Sequence, residues 1–110
     1  MNVTRFDKSQ AKPAHEGTIL AMPVLPPGVK APFGHAWGHL EPYREMDGHR
    51  HPTEEVYFFH QGTGIVVVGD EERPVAPGDV VEIPPHTYHT VRNNSDSELL
   101  WFALWWPLVG

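Results

Sequence analysis

The sequence predicts an all-β chain, folded as one barrel or sandwich. Three observations carry this. Short runs rich in valine, isoleucine, aromatics and threonine recur between turn signals. No long window shows a 3.6-residue apolar period. The 12 prolines and 10 glycines are spread along the chain, so no element can run long before a break. At 110 residues, 40% of them apolar, the chain suits a single domain with one core.

The expected strands are Thr18–Met22, Gly34–Glu41, His49–His51, Glu54–Gln61, Gly64–Val68, Val80–Ile83, Thr87–Arg92 and Glu98–Trp106. Between them lie the breaks MPVLPPGVKAP, EPYREMDG, HP, QGTG, GDEERPVAPGD, PP and NNSDS. GDEE after GIVVV reads as a hairpin turn. Residues 1–33 are Pro-rich and weakly patterned, and are expected to form an extended arm on the barrel or on a partner subunit; residues 34–110 are expected to form the barrel itself.

Two runs, GIVVVG and LLWFALWW, are apolar on both strand faces. A strand with one wet face would alternate. In the second run Trp101 and Trp105 share one face, and Leu100, Phe102, Leu104 and Trp106 share the other. One small barrel has one inside, so the other face must meet the arm, a second sheet or another subunit. A homodimer is the expectation. In the strand Gly34–Glu41, His35, Trp37, His39 and Glu41 lie on one face, and Ala36, Gly38 and Leu40 on the other. Parity leaves open which face points inward: the small face would leave room for a ligand, the polar face would bring His39 into the pocket.

Charge and composition exclude several function classes. A net charge of −6 with only 8 lysines and arginines gives no basic patch for nucleic acid or an anionic membrane. The absence of cysteine removes disulfides, thiolate metal sites and a thiol nucleophile. The N-terminal residues show no apolar leader and no run is long enough to span a bilayer, which fits a cytoplasmic protein.

Eight histidines are the strongest anomaly in the composition. His49 and His51, two apart on an extended segment, share a face about 7 Å apart. Imidazoles so placed can converge on one ion at about 2.1 Å. Glu55 follows, and with Glu55 inward, Tyr57, Phe59 and Gln61 point inward too and line a pocket. A carboxylate buried among aromatics needs a cation beside it. Glu54 is the reserve carboxylate if the register slips by one. A fourth ligand would come from His86 or His89 in IPPHTYHTVRN, with His89 the better placed at the start of an alternating strand. His86 reads either as an exposed turn residue or as a proton-moving group beside the site.

These residues resemble the two motifs of the cupin family. Its first motif runs G, five residues, H-x-H, three or four residues, E, six residues, G, matched here by His49, His51, Glu55 and Gly62. Its second runs G, five residues, P-x-G, two residues, H, three residues, N, matched by Gly78, Pro84, His89 and Asn93. Two family glycines are replaced, by Tyr43 and His86. The resemblance implies a double-stranded β-helix barrel of the jelly-roll type. It also implies one divalent transition metal per chain (Fe, Mn, Ni, Co or Zn) on His49, His51, Glu55 and His89. Cupins include dioxygenases, isomerases and decarboxylases. The expectation is therefore a metal-dependent enzyme, dioxygenase-like first, acting on a small oxygenated organic molecule. In that scheme His86 and His39 would move protons. The alternative is a non-enzymatic module that binds or senses a sugar or carboxylate.

Overall fold

The computed structural model describes residues 1–108; the last two residues of the expected 34–110 barrel lie outside the described residues. Among the described residues nine strands form: β1 (Lys12–Ala14), β2 (Ile19–Met22), β3 (Gly34–Leu40), β4 (Glu54–Gln61), β5 (Gly64–Val68), β6 (Glu71–Val75), β7 (Val80–Ile83), β8 (His89–Arg92) and β9 (Leu99–Trp106). They make two antiparallel sheets, one ordered β1-β2-β3-β9-β4-β7 and the other β6-β5-β8. The core lies between them, with Leu40, Met46, Ile83, Val91 and Leu99 among its fully buried side chains. This is the all-β jelly-roll barrel of the cupin type. Among the described residues no helix is long and apolar enough to cross a membrane.

Two expectations about strands need correction. His49–His51 is not a strand: only His49 forms a bridge, to His89, and Pro52 stops pairing from continuing. Conversely β6 arises where charge and Pro74 suggested a loop. It is an edge strand, so a residue lacking an N–H is tolerated there. The β5–β6 connection is a two-residue hairpin, with Gly69 at φ 62° as its first turn residue.

The arm region adds β1 and β2 to the edge of the larger sheet, β2 pairing with β3 from Leu20–His39 to Met22–Trp37. Farther upstream, Phe6 stacks on the His39 ring at 5.4 Å and meets the edge of Trp37. Lys8 binds Glu41 and Glu98, and Glu98 also receives His39 Nε2 at 3.0 Å. Lys8 first, and then His39, hold the Glu98 carboxyl below its ordinary range.

The ladder of β3 on β9 decides which β3 face points inward. Gly34 opposes Trp105, Ala36 opposes Ala103 and Gly38 opposes Trp101. The indoles lie across the glycines: a Cβ on Gly38 would sit 2.5 Å from Trp101, and one on Gly34 2.0 Å from Trp105. The small face is therefore the inner one. The outer face carries Trp37, Phe58 and Phe102, with Phe58 and Phe102 stacked at 4.7 Å.

At the two positions where a glycine of the cupin motifs is replaced, the chain keeps the left-handed backbone without it: Tyr43 has φ 59° and His86 φ 62°. The turns survive the substitution, and the strain of a side chain there is borne by their surroundings.

Candidate metal centre and its cavity

Three histidines converge between the two sheets, and Glu55 adjoins two of them, His51 and His89. His89 comes from β8 in the smaller sheet, Glu55 from β4 in the larger, and His49 and His51 from the loop before β4. Donor nitrogens of His49, His51 and His89 lie within 4.8 Å of one another. Glu55 Oε1 stands 3.0 Å from His51 Nε2 and 3.3 Å from His89 Nε2.

Each imidazole is turned by a backbone carbonyl two residues away. His89 Nδ1 lies 2.9 Å from Thr87 O, His51 Nδ1 3.1 Å from Thr53 O, and His49 Nδ1 3.4 Å from Asp47 O. Carbonyls only accept, so these contacts assign the ring proton to Nδ1 and leave an Nε2 lone pair facing inward. The Thr53 hydroxyl, 2.8 Å from His51 Nδ1, adds a further polar contact there. The His86 N–H donates to His51 O at 2.7 Å and fixes the backbone of that ligand.

The donor set fits a divalent transition metal. His89 is fully buried and its Nε2 has no hydrogen-bond partner, while a buried carboxylate oxygen stands just beyond. Inward lone pairs and an anion repel one another unless a cation lies among them. Neutral nitrogen with one carboxylate suits iron, manganese, nickel, cobalt or zinc. Burial, then the neighbouring His89, lowers the pKa of His49 and keeps it in the neutral form that ligation requires.

A cavity of about 390 Å³ opens from this centre along the inner face of the larger sheet. Ala36, Gly38, Ala103, Trp101 and Trp105 form its apolar wall, and Tyr57 stands beside Glu55. Burial, and then Glu55, raise the Tyr57 pKa well above its ordinary value, so it remains a phenol.

Not every expected site residue comes to this cavity. His39 sits on the outer face of β3, buried under Phe6, because the glycine face turned inward. Phe59 points inward but packs in the core between Tyr57 and Trp101, outside the cavity lining. Gln61 is exposed: the β4–β9 register shifts between Phe59 and Gln61, and the bulge reverses the parity. His86 is exposed in the loop before β8, and its backbone, not its ring, is what reaches the centre.

Two contributors were not anticipated. His15, from the β1–β2 turn, lines the cavity and stacks on His49 at 4.3 Å. Nothing in the local pattern of the arm marks it. The glycine-on-tryptophan wall did leave a trace: Gly34 and Gly38 are four apart, as are Trp101 and Trp105.

Comparison with known proteins agrees with this architecture. A model of the cupin domain (Cupin_2) matches residues 36–106. An uncharacterized protein of Methanocaldococcus jannaschii is 31% identical over 94 residues, 82% of this chain and 74% of that protein. A 5-nitrosalicylic acid 1,2-dioxygenase of Bradyrhizobium sp. is 31% identical over 65 residues, 59% of this chain but only 31% of that enzyme. Among solved structures, a Cupin 2 conserved barrel domain protein from Salinispora arenicola superposes with a TM-score of 0.84 at 29% identity, covering 96% of this chain and 88% of that one.

Proposed function

The chain belongs to the cupin family, and from that premise we propose a metal-dependent enzyme whose substrate is a small oxygenated organic molecule with an apolar body. The observation that carries the proposal is the juxtaposition of inward-facing imidazole nitrogens and one buried carboxylate with a largely apolar cavity of about 390 Å³. Oxygenase chemistry is the reading we favour. The aromatic wall suits a ring or short hydrocarbon, and the partial match to a dioxygenase of a nitrosalicylate points the same way.

His49, His51, Glu55 and His89 would hold the ion. Bound there, a divalent transition metal supplies Lewis-acid chemistry and, for iron or manganese, redox chemistry. The protein's own part is positioning. Trp101 and Trp105 shape a slot for the apolar body and exclude water from it. The Tyr57 phenol, held protonated by burial, keeps a proton at Oη beside Glu55.

Few side chains in the cavity can move protons, and this favours the second reading, a module that binds its ligand without turning it over. Metal analysis of untagged protein, followed by oxygen uptake with salicylates, catechols and diketones, tests both. About one metal per chain with substrate-dependent oxygen uptake supports the enzyme. Ligand-induced stabilisation without turnover supports the binding module. Protein that takes up no transition metal removes the metal reading altogether.

We also propose a homodimer through the outer face of the larger sheet. Trp106 and Val80 are exposed there beside half-buried Phe58, Phe102 and Leu104, an apolar surface that a second copy would cover. Light scattering tests it: a monomer at micromolar concentration contradicts the proposal.

A further inference from the structure

We propose that the β1–β2 turn is part of the metal centre, with His15 a positioning residue that holds the His49 ring in its ligating orientation. The inference rests on the metal-binding reading above. His49 is the least supported of the three histidines. Like His51 it lies outside the strands, and a backbone bridge ties it to His89. Its Nδ1 contact, 3.4 Å, is longer than the 3.1 Å and 2.9 Å contacts that orient His51 and His89.

Two contacts from the turn make up the difference. The His15 ring lies on the His49 ring at 4.3 Å, inclined by 29°. The Thr18 hydroxyl accepts from the Asp47 N–H at 2.8 Å and donates to His15 O at 2.6 Å. It thereby links the backbone of His15 to the residue whose carbonyl faces His49. The turn is built at a conformational cost: His15, Glu16 and Gly17 have φ of 50°, 60° and 78°, three left-handed residues in succession. Residues persist in that region when their surroundings fix them, which is common where a side chain has a task.

His15 supports a ligand without being one. Among the described residues, the nitrogens that converge at this centre are those of His49, His51 and His89, and His15 is not in that group. A stacked ring restrains its neighbour's rotation and leaves the neighbour's nitrogens free. The arm region would then be needed for full metal affinity, although the cupin family match begins only at residue 36.

The test compares native protein with His15→Ala and His15→Phe. Cobalt and zinc affinities are measured by competition with a chromophoric chelator. His15→Ala is expected to weaken binding about 10- to 100-fold, the range seen when a ligand loses its orienting partner. His15→Phe, which keeps a flat ring but no nitrogen, is expected to restore it to within a few-fold. Native-like affinity in His15→Ala overturns the proposal. So does a His15→Phe variant as weak as His15→Ala, because the nitrogen would then be the active part.

A metal-free readout separates this from failure of the metal reading. Imidazole nitrogen NMR is recorded on the apoprotein above the ordinary histidine titration range. His15→Ala should displace or broaden the His49 ring signals and leave those of His51 and His89 in place, with far-UV circular dichroism unchanged. His49 signals that do not move overturn the inference, even if native protein proves to bind no metal.

Discussion

Adding one methyl group at Gly38 is the most direct way to test the cavity wall. In Gly38→Ala the new Cβ would stand 2.5 Å from Trp101 Cε2, 2.6 Å from Cζ2 and 2.8 Å from Nε1. Non-bonded carbons rest at about 3.5–4.0 Å, so the indole must retreat by roughly 1 Å. The cavity leaves it room on one side only. Trp101 is only 2% exposed, and its ring is flanked by Tyr57 at 5.7 Å and Phe59 at 5.9 Å. Overpacking of this kind costs about 1–3 kcal/mol. Replacing glycine by alanine also restricts the unfolded chain, which returns about 0.4–1 kcal/mol. The net loss should be roughly 0–2.6 kcal/mol, and at about 4–8 °C per kcal/mol for a domain near this size the melting temperature should fall by up to about 20 °C. Thermal unfolding of the metal-free protein, followed by tryptophan fluorescence, reads both the loss and the moved indole. Metal stoichiometry should be unchanged, because no ligand has been touched. A variant that melts at or above the native temperature with unaltered fluorescence would mean that Trp101 does not lie over Gly38.

Other outcomes follow from the same geometry. His51→Ala should abolish stoichiometric metal, measured by elemental analysis, while unfolding stays cooperative; a variant that retains its metal would show the ligand set to be wrong. Metal-free protein should lose stability as pH falls. Burial holds His15 and His49 below their ordinary pKa, so the folded state binds fewer protons than the unfolded state. Their contribution is complete above about 6.5, the ordinary histidine value, and is lost as pH falls through their lower folded values. Denaturant midpoints measured across that window check the sign, and a midpoint that rises on acidification would contradict it. Asn93→Ala should cost about 2–3 kcal/mol in urea denaturation. Its Nδ2 serves Leu40 O, Glu41 O and Ser97 O at 2.7–3.2 Å, and the residue is buried where β3, β8 and the loop before β9 meet.

The fold was legible in sequence wherever burial imposed an alternation. β4 shows this: Glu55, Tyr57 and Phe59 are buried while their neighbours are partly exposed. The same rule failed at Gln61, because a bulge depends on the partner strand and leaves no mark in the bulged one. It failed for β6 because edge strands carry little apolar pattern and can accept proline. The inward face of β3 was ambiguous on β3 alone. It became determinate only with β9, whose two indoles require glycines opposite them. The contact of His15 with His49 was invisible for a simpler reason: it joins an irregular arm to a loop, and neither has a period to read. The convergence of His49, His51 and His89 was visible as motif spacing, but not the carbonyls that orient them.

Those carbonyls have a consequence for how such a protein can change. Asp47, Thr53 and Thr87 orient the histidines through main-chain oxygen, an atom that every residue type possesses. Substitution at Asp47 or Thr87 alters the side chain and leaves the anchoring atom in place; at Thr53 the carbonyl also stays, and only the hydroxyl 2.8 Å from the same ring nitrogen is lost. The wall facing the centre is built the opposite way, from the sizes of Ala36, Gly38, Ala103 and two indoles, each of which one codon change would resize. The chain thus pairs a centre insulated from mutation with a cavity exposed to it. Selection could refit the cavity to a new molecule while the chemistry at its end stays in register.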